Sequence, residues 1–569
     1  MTTSSYASTA PLRHQLSPAV CLLALATLVW VPWNAARARQ APAAPTASTP
    51  ARVADAVCAK CHQQIYETYI ETPMANASGL AVDGTIAGGF TDEVSGVKFS
   101  VFTKDGDAWL SYDRPGTALN GEQKLEYFLG SGSHARTYLY SRNGYWFESP
   151  AVYYSQKNGY SMRPSFHQDK EMPFNLPIDP GCIRCHVSGA VEQDPGTQNH
   201  YSDGPFLHGG IMCESCHGNT AKHVASGGKI PVVNLAALDP DRRDSVCLNC
   251  HLEGDSNIQH SGVSVADFKP GDSITDFVSY YIRAGAGATN RGVSQVEALN
   301  LSMCKRMSDG RMTCTTCHDP HYTPPAAQRA AFFRTKCLAC HNEPKFATSH
   351  YSNNPDCTSC HMPQKQAPDL AHSEWTDHRI LAQPQQVAPE ASANEAPMLI
   401  PVPGVHQQPN SRDLALAYYN MVENGHEEFA KQAWTLLQET VKTDAHDPEV
   451  LVALGFLAQA NGDRVQALRY YQSTLKYNPG NYTAAMNLAV LVARSGDLKS
   501  AAQLWQTTFA RNEDITPLGM NLAAARCMLG DKAAAEQVLQ RVLFYSPDHG
   551  PAHEELAAIE TGQQPCRAR

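Results

Sequence analysis

Apolar positions follow three different rhythms along the 569-residue chain. The first is a continuous apolar run from Ala19 to Trp33, preceded by Arg13 and His14 and followed by Ala36-Arg37-Ala38. A basic start, an apolar stretch of about 15 residues and an A-x-A site are the order of an export signal, here 1–38. A run that short is brief for a bilayer span, so an uncleaved anchor is the lesser reading. The second rhythm is alternation. Lys98 to Thr103 and Trp109 to Tyr112 alternate and are joined through Asp105-Gly106, while Asn143-Gly144 and Asn158-Gly159 separate aromatic-rich runs. Such dipeptides between alternating runs mark hairpins and predict a small antiparallel β insert over about 80–165. Its aromatics are assigned to sheet packing rather than to covering a cofactor. The third rhythm is amphipathic helix, Ala- and Leu-rich, over 412–560. A leader (39–51), a Pro/Gln/Ala-rich linker (381–411) and a tail (561–569) lack periodicity.

The helical stretch repeats with a period of 34. Gly462, Gly496 and Gly530 keep that spacing, as do Asp463, Asp497 and Asp531, and so do Leu454, Leu488 and Leu522, and Ala467, Ala501 and Ala535. The Gly-Asp pair reads as the turn between two helices and the alanines as their close crossing. Residues 413–448 form a degenerate first copy in which Ala433 keeps phase. This unit resembles the tetratricopeptide repeat, which implies an α-helical solenoid with a concave protein-binding face.

Composition then narrows the chemistry. Hydrophobic residues at 43% and charged residues at 18% exclude wholesale disorder, and a net charge of −10 gives no footprint for nucleic acid. The 18 Cys and 23 His point to bound metal.

Cys-x-x-Cys-His occurs seven times: Cys58/Cys61/His62, Cys182/Cys185/His186, Cys213/Cys216/His217, Cys247/Cys250/His251, Cys314/Cys317/His318, Cys337/Cys340/His341 and Cys357/Cys360/His361. Two Cys one turn apart can each reach a vinyl group on one porphyrin edge, and His at i+4 lies over the first Cys. These are the requirements of covalent haem c with a His axial ligand. A zinc ribbon would pair Cys motifs without the obligatory His, and a thioredoxin-like redox pair would occur once. Seven haems in a block of about 330 residues, with a radius of gyration of about 20 Å, would lie close enough to pass electrons. The remaining Cys are bystanders. Cys21 belongs to the signal, Cys527 to a repeat helix core, and Cys304 and Cys566 have no evident partner.

Ten more His fall inside the block, enough to give every iron a second imidazole. His223, His321, His350, His372 and His378 are the first-ranked distal ligands, and His134, His208 and His260 the second-ranked. His167 and His200 read as surface or hydrogen-bonded residues, and Met74 as a core residue rather than a ligand of the first haem.

The strings CESCHG (213–218), CTTCHDPH (314–321), CTSCHMP (357–363) and TDHRI (376–380) resemble multihaem c-type cytochromes of the cytochrome c-552/4-like kind, fused to tetratricopeptide repeats. The resemblance covers about 52–380 and 412–560. It implies a mainly α chain: a seven-haem cytochrome domain with little regular structure apart from the β insert, then the helical solenoid. It also implies an exported, periplasmic electron carrier whose repeats dock redox partner proteins. Family nitrite reductases mark their catalytic haem with Cys-x-x-Cys-Lys. Here Leu301 stands where the first Cys before Cys304-Lys305 would be. Two other readings remain at this point: an oxidoreductase with one open haem acting on a small oxyanion, and a repeat scaffold stapled by structural haems.

Overall fold

The computed structural model describes residues 54–163, 170–284, 293, 295–343, 356–366, 374–383 and 398–562. The alternating region forms two antiparallel sheets. Gly88–Thr91, Lys98–Lys104, Asp107–Asp113 and Asn120–Leu125 pair in chain order as a four-stranded meander. A six-stranded sheet is built on Ala135–Arg142, which pairs with Tyr127–Leu129, Tyr145–Glu148 and Ala151–Tyr154. Asp105-Gly106 and Asn143-Gly144 turn with φ of 54° and 83°, and 52° and 82°. Positive φ at both central positions is the two-residue turn that matches strand twist. The enclosed aromatics Phe99, Tyr138, Tyr140, Phe147 and Phe174 make one core with Leu110, so the insert is a β body in its own right.

The repeats are four helix pairs and a closing helix. The pairs are Ser411–Glu423 with Ala430–Thr443, Pro448–Ala460 with Arg464–Tyr477, Tyr482–Arg494 with Leu498–Phe509, and Thr516–Met528 with Lys532–Tyr545. Gly550–Thr561 closes the stack. Asp463, Asp497 and Asp531 each cap the second helix, accepting the N–H three residues on. An Asp at this position satisfies one of the four amides a helix start leaves unpaired. Ala433, Ala467, Ala501 and Ala535 are fully buried at the helix crossings. Cys527 is buried as expected and is disulfide-bonded, to a partner outside the described residues.

Solenoid and cytochrome region are packed together at two places. At the far end, Tyr545 enters the β-body core edge-on to Tyr145 and Phe147. Around it Arg114 grips Asp548 with two bonds of 2.6 Å, and Asp548 also accepts the Met172 N–H. In the neighbouring inter-repeat loop Asn512 donates to the Gly196 carbonyl and accepts the Gln198 N–H, and the Asp514 carbonyl accepts from Asn175. Gly196 and Gly480 meet so closely that a Cβ on either would lie 3.3 Å from the other's backbone. At the near end, Leu399–Pro401 is a strand on Val278–Arg283, and Gln407 bonds both backbone groups of Tyr280. The second half of the span read as a linker is thus part of the fold.

Candidate functional site

The motifs sit on or at the ends of helices, and the first lies inside Asp55–Tyr69, where His62 leaves helical geometry. Pro180–His186, Cys213–His217 and Pro240–His251 finish on their His, and the N–H of His318, His341 and His361 each bonds the carbonyl of the first motif Cys. One helical turn therefore brings first Cys and His to the same face. All fourteen motif Cys are free thiols here, and each would be a thioether sulfur in a haem-bearing motif. The thiols also meet between motifs. Cys58 and Cys213, Cys185 and Cys250, Cys247 and Cys314, and Cys337 and Cys357 lie close enough to act on one another's ionisation.

The motif Cys are not equally placed, although the sequence treats them alike. Cys61, Cys340 and Cys360, each expected to hold a haem, are exposed, whereas the other motif Cys are half-buried. Each of the three is the second Cys of its motif. In all three motifs the first thiol turns inward to another motif, Cys58 to Cys213 and Cys337 to Cys357, and this leaves the second thiol on the outer side of the turn. His62 and His341, which follow Cys61 and Cys340, are exposed as well. The motifs 58–62, 337–341 and 357–361 thus lie nearer the surface than the others.

Among the described residues, three imidazole pairs face each other. His62 and His223 lie 6.2 Å apart between ring centres and 18° from parallel. His217 and His321 are 6.0 Å apart at 5°, and His318 and His378 6.2 Å apart at 26°. One member of each pair is a motif His, and the other is a first-ranked distal residue. Burial pushes the imidazoles of His186, His217, His251 and His378 below their usual range, and takes His318 down to about 4. They are neutral near pH 7, the form that binds a metal. His223, His361 and His378 each donate Nδ1–H to a backbone carbonyl, of Ile230, Leu381 and Thr376. That bond places the proton on Nδ1 and so fixes the tautomer.

Carboxylates hold these segments in place. Asp55 accepts the Cys213 N–H and joins the first motif's helix to the third motif. Glu214, buried inside CESCHG, accepts both the N–H and hydroxyl of Thr220 and sets the loop toward His223. Asp377 is fully enclosed and bonds Arg379 at 2.6 Å and Lys365 at 3.0 Å, bracing the residue next to His378. Sequence reasoning assigned none of these roles, although Asp377 and Glu214 stand inside strings it singled out.

Other expectations fare differently. His260 is not placed to ligate: Nδ1 faces the Asp276 carbonyl at 3.0 Å, and Nε2 faces Ser279 at 3.0 Å and Asp413 at 3.2 Å. It belongs to the junction with the solenoid, where Asp413 is buried. His134 and His208 join no imidazole pair among the described residues; His134 is exposed and His208 lies on a hairpin strand opposite Ser188. His200 is held by Asp194 at 2.6 Å against Tyr145, as a hydrogen-bonded residue should be. Met74 is half-buried. His167, His350 and His372 lie outside the described residues.

Comparison with known proteins bears on this constellation. The family model "Cytochrome c554 and c-prime" matches residues 151–218, across two of the motifs, and the tetratricopeptide repeat model matches 458–515. The multihaem cytochrome MtrA of Shewanella baltica (strain OS185) is 25% identical over 175 residues, which is 28% of this chain and 52% of MtrA. This chain joins a multihaem c-type cytochrome to tetratricopeptide repeats. It spans about half the length of the curated relative it matches. Among solved structures it is similar to MamA 41-end from Desulfovibrio magneticus RS-1, at 18% identity over 26% of this chain and 85% of that one, with a TM-score of 0.24. It is also similar to the first repeat domain of Spaghetti (RPAP3) bound to an HSP90 peptide, at 24% identity over 21% and 97%, with a TM-score of 0.20.

The cytochrome's cofactor is covalently bound haem c, and the residues suit it. Two imidazoles on opposite faces of one metal, each at about 2 Å, hold their ring centres roughly 6 Å apart. That is the spacing of all three facing pairs. No helix of the described residues is long and apolar enough to cross a membrane.

Proposed function

We propose that the chain is an exported electron carrier with seven covalent haems, one on each Cys-x-x-Cys-His motif, and that its repeats dock a redox partner. The single observation that carries this reading is the set of three facing imidazole pairs. In it, His62, His186, His217, His251, His318, His341 and His361 are the proximal ligands. His223, His321 and His378 are the distal ligands of the haems on His62, His217 and His318. His350 and His372 are kept for two of the others, and His134 and His208 remain the weaker reserve.

Haem c supplies a one-electron ferric/ferrous couple at each site. The protein contributes neutral, pre-oriented imidazoles and a close arrangement. The thiol contacts run from 58–62 to 213–217, and from 182–186 through 247–251 to 314–318. Another joins 337–341 to 357–361. The exposed Cys61, Cys340 and Cys360 make those three motifs the points where electrons enter and leave. At the three motifs with a facing pair, two imidazoles would hold the haem, which favours electron transfer over substrate chemistry.

A partner's place is a groove of about 290 Å³ lined by Leu416, Tyr419, Glu423, Val452, Asn481 and Thr483 of the repeats, and by Asn257–Gln259 of the cytochrome region.

The test is the intact mass and electron paramagnetic resonance spectrum of protein matured in an export host. Seven haem masses on a chain lacking 1–38, with low-spin signals, are expected. Fewer haems with all motifs intact overturns the count. A large high-spin population indifferent to the loss of His223, His321 or His378 overturns the ligand assignment.

A further inference from the structure

Arg184 is a buried cation with no carboxylate among the groups that act on it most strongly. It occupies the second variable position of the 182–186 motif, on helix Pro180–His186, beside Cys185. Its Nε is buried without a hydrogen-bond partner, and so is the hydroxyl of Tyr280, a side chain enclosed at 0% exposure. The groups that act on the guanidinium most strongly are Tyr280, Cys185 and Cys250, and none is a carboxylate. Asp179, an acid that Cys185 feels, spends its side chain capping the helix at Gly181. The Cys185 thiol lies 3.9 Å from the Cys250 carbonyl, so Arg184 stands where the 182–186 and 247–251 motifs abut.

An arginine stays protonated in a protein. Attaching haem turns Cys185 and Cys250 into thioethers, which cannot ionise, so neither thiol then offsets the guanidinium. A ferric site carries one more positive charge than a ferrous one. A nearby cation in a poorly screened setting penalises the ferric form.

We propose that Arg184 sets the order in which electrons fill the chain of sites: it raises the reduction potential where the 182–186 and 247–251 motifs meet, so that electrons collect there first. The step it biases is a single-electron exchange, one site oxidised as its neighbour is reduced, with no proton moved and no bond changed. The 182–186 motif reaches the 314–318 motif through 247–251 in the thiol contacts, so the charge sits at one end of that series. Arg184 is a positioning residue, acting through the field it creates. The inference rests on haem c being bound at both motifs.

The test compares R184Q, R184M and R184K with the parent in a spectroelectrochemical titration of the purified holoprotein, with the haem load of each read from its intact mass. In R184Q and R184M the most easily reduced portion should show a reduced-to-oxidised ratio about tenfold lower at fixed ambient potential, which is about 59 mV for a one-electron couple. R184K keeps the charge and should stay close to the parent. An R184Q curve that superimposes on the parent's at full haem load overturns the inference, as does an R184K curve displaced as far as R184Q. Haem loss in both neutral variants would mean that Arg184 builds the site rather than tunes it, which also overturns it. A parent lacking haem on either peptide would instead refute the underlying assignment, and the mass separates the two.

Discussion

Asp377→Asn should open one haem site without unfolding the chain. The carboxylate is wholly enclosed. Its oxygens accept Arg379 Nε at 3.0 and 2.9 Å, Arg379 Nη2 at 2.6 Å, the Arg379 backbone N–H at 3.0 Å and Lys365 Nζ at 3.0 Å. Asparagine keeps the shape and loses the charge, which leaves Arg379, with 11% of its side chain exposed, without a counter-ion. Breaking a buried pair from one side costs about 3–5 kcal/mol. Lys365 is 33% exposed and can turn to water, so the lower end applies. The cost falls on the short segment around Thr376–Leu381, which is pinned to the last motif by Asp377 N–H to the Pro363 carbonyl and Leu381 N–H to the His361 carbonyl. About 3 kcal/mol raises the equilibrium for local opening about 100-fold. His378 leaves His318 in the opened form. Electron paramagnetic resonance should therefore gain a high-spin signal of at most one haem per chain, and hydrogen exchange over 374–383 should quicken. A low-spin spectrum and exchange rates identical to the parent's would refute both the bracing role and the magnitude.

Three further outcomes test other parts of the molecule. Asp514 is buried in the joint between solenoid and β body, and burial pushes its carboxyl up to about 7. The folded chain then holds a proton that the unfolded chain has lost by about pH 4, so stability falls as pH rises from about 4 to about 7 and then levels. D514N removes that slope: urea midpoints should match the parent near pH 4 and exceed it at pH 8, by up to about 4 kcal/mol, and equal midpoints at pH 8 would sink the idea. Arg114→Ala leaves Asp548 facing the β body without its cation, at about 2–3 kcal/mol; a faster proteolytic cut between the two regions is the readout, and an unchanged digestion pattern contradicts it. His260→Gln should lower the melting temperature through Ser279 and Asp413 while leaving every haem signal untouched. A haem change there would restore His260 as a ligand.

The motifs and repeats are legible in the sequence because both are local. Seven Cys-x-x-Cys-His strings need only one helical turn to make sense, and the 34-residue period shows in the Gly-Asp turn and the buried alanines. The hairpin turns at Asp105-Gly106 and Asn143-Gly144 are legible for the same reason. What a motif cannot show is its depth: Cys61, Cys340 and Cys360 differ from their counterparts in exposure because of which neighbour the rest of the chain supplies. His223, His321 and His378 rank well from their closeness to a motif, but no spacing says which motif each faces. His260 has the same local credentials and goes to Asp413, 153 residues on, because a buried carboxylate at the repeat junction claims it. The strand Leu399–Pro401 is hidden by a Pro- and Gln-rich neighbourhood, since its pairing with Val278–Arg283 is decided by tertiary contact. Arg184 and Tyr280 cannot be connected at all before the chain is folded.

The three facing pairs share an order along the chain. The ring opposite His62 follows the third motif, the ring opposite His217 follows the fifth, and the ring opposite His318 follows the seventh. A polypeptide emerging amino-terminus first can attach each of these haems before the segment that completes it exists. On the proposed pairing, each of these sites would be completed two motifs after the motif that carries it. A chain cut after Gln366 would carry all seven motifs and still leave His318 waiting, which makes the last few residues of the cytochrome region the signature of a finished molecule.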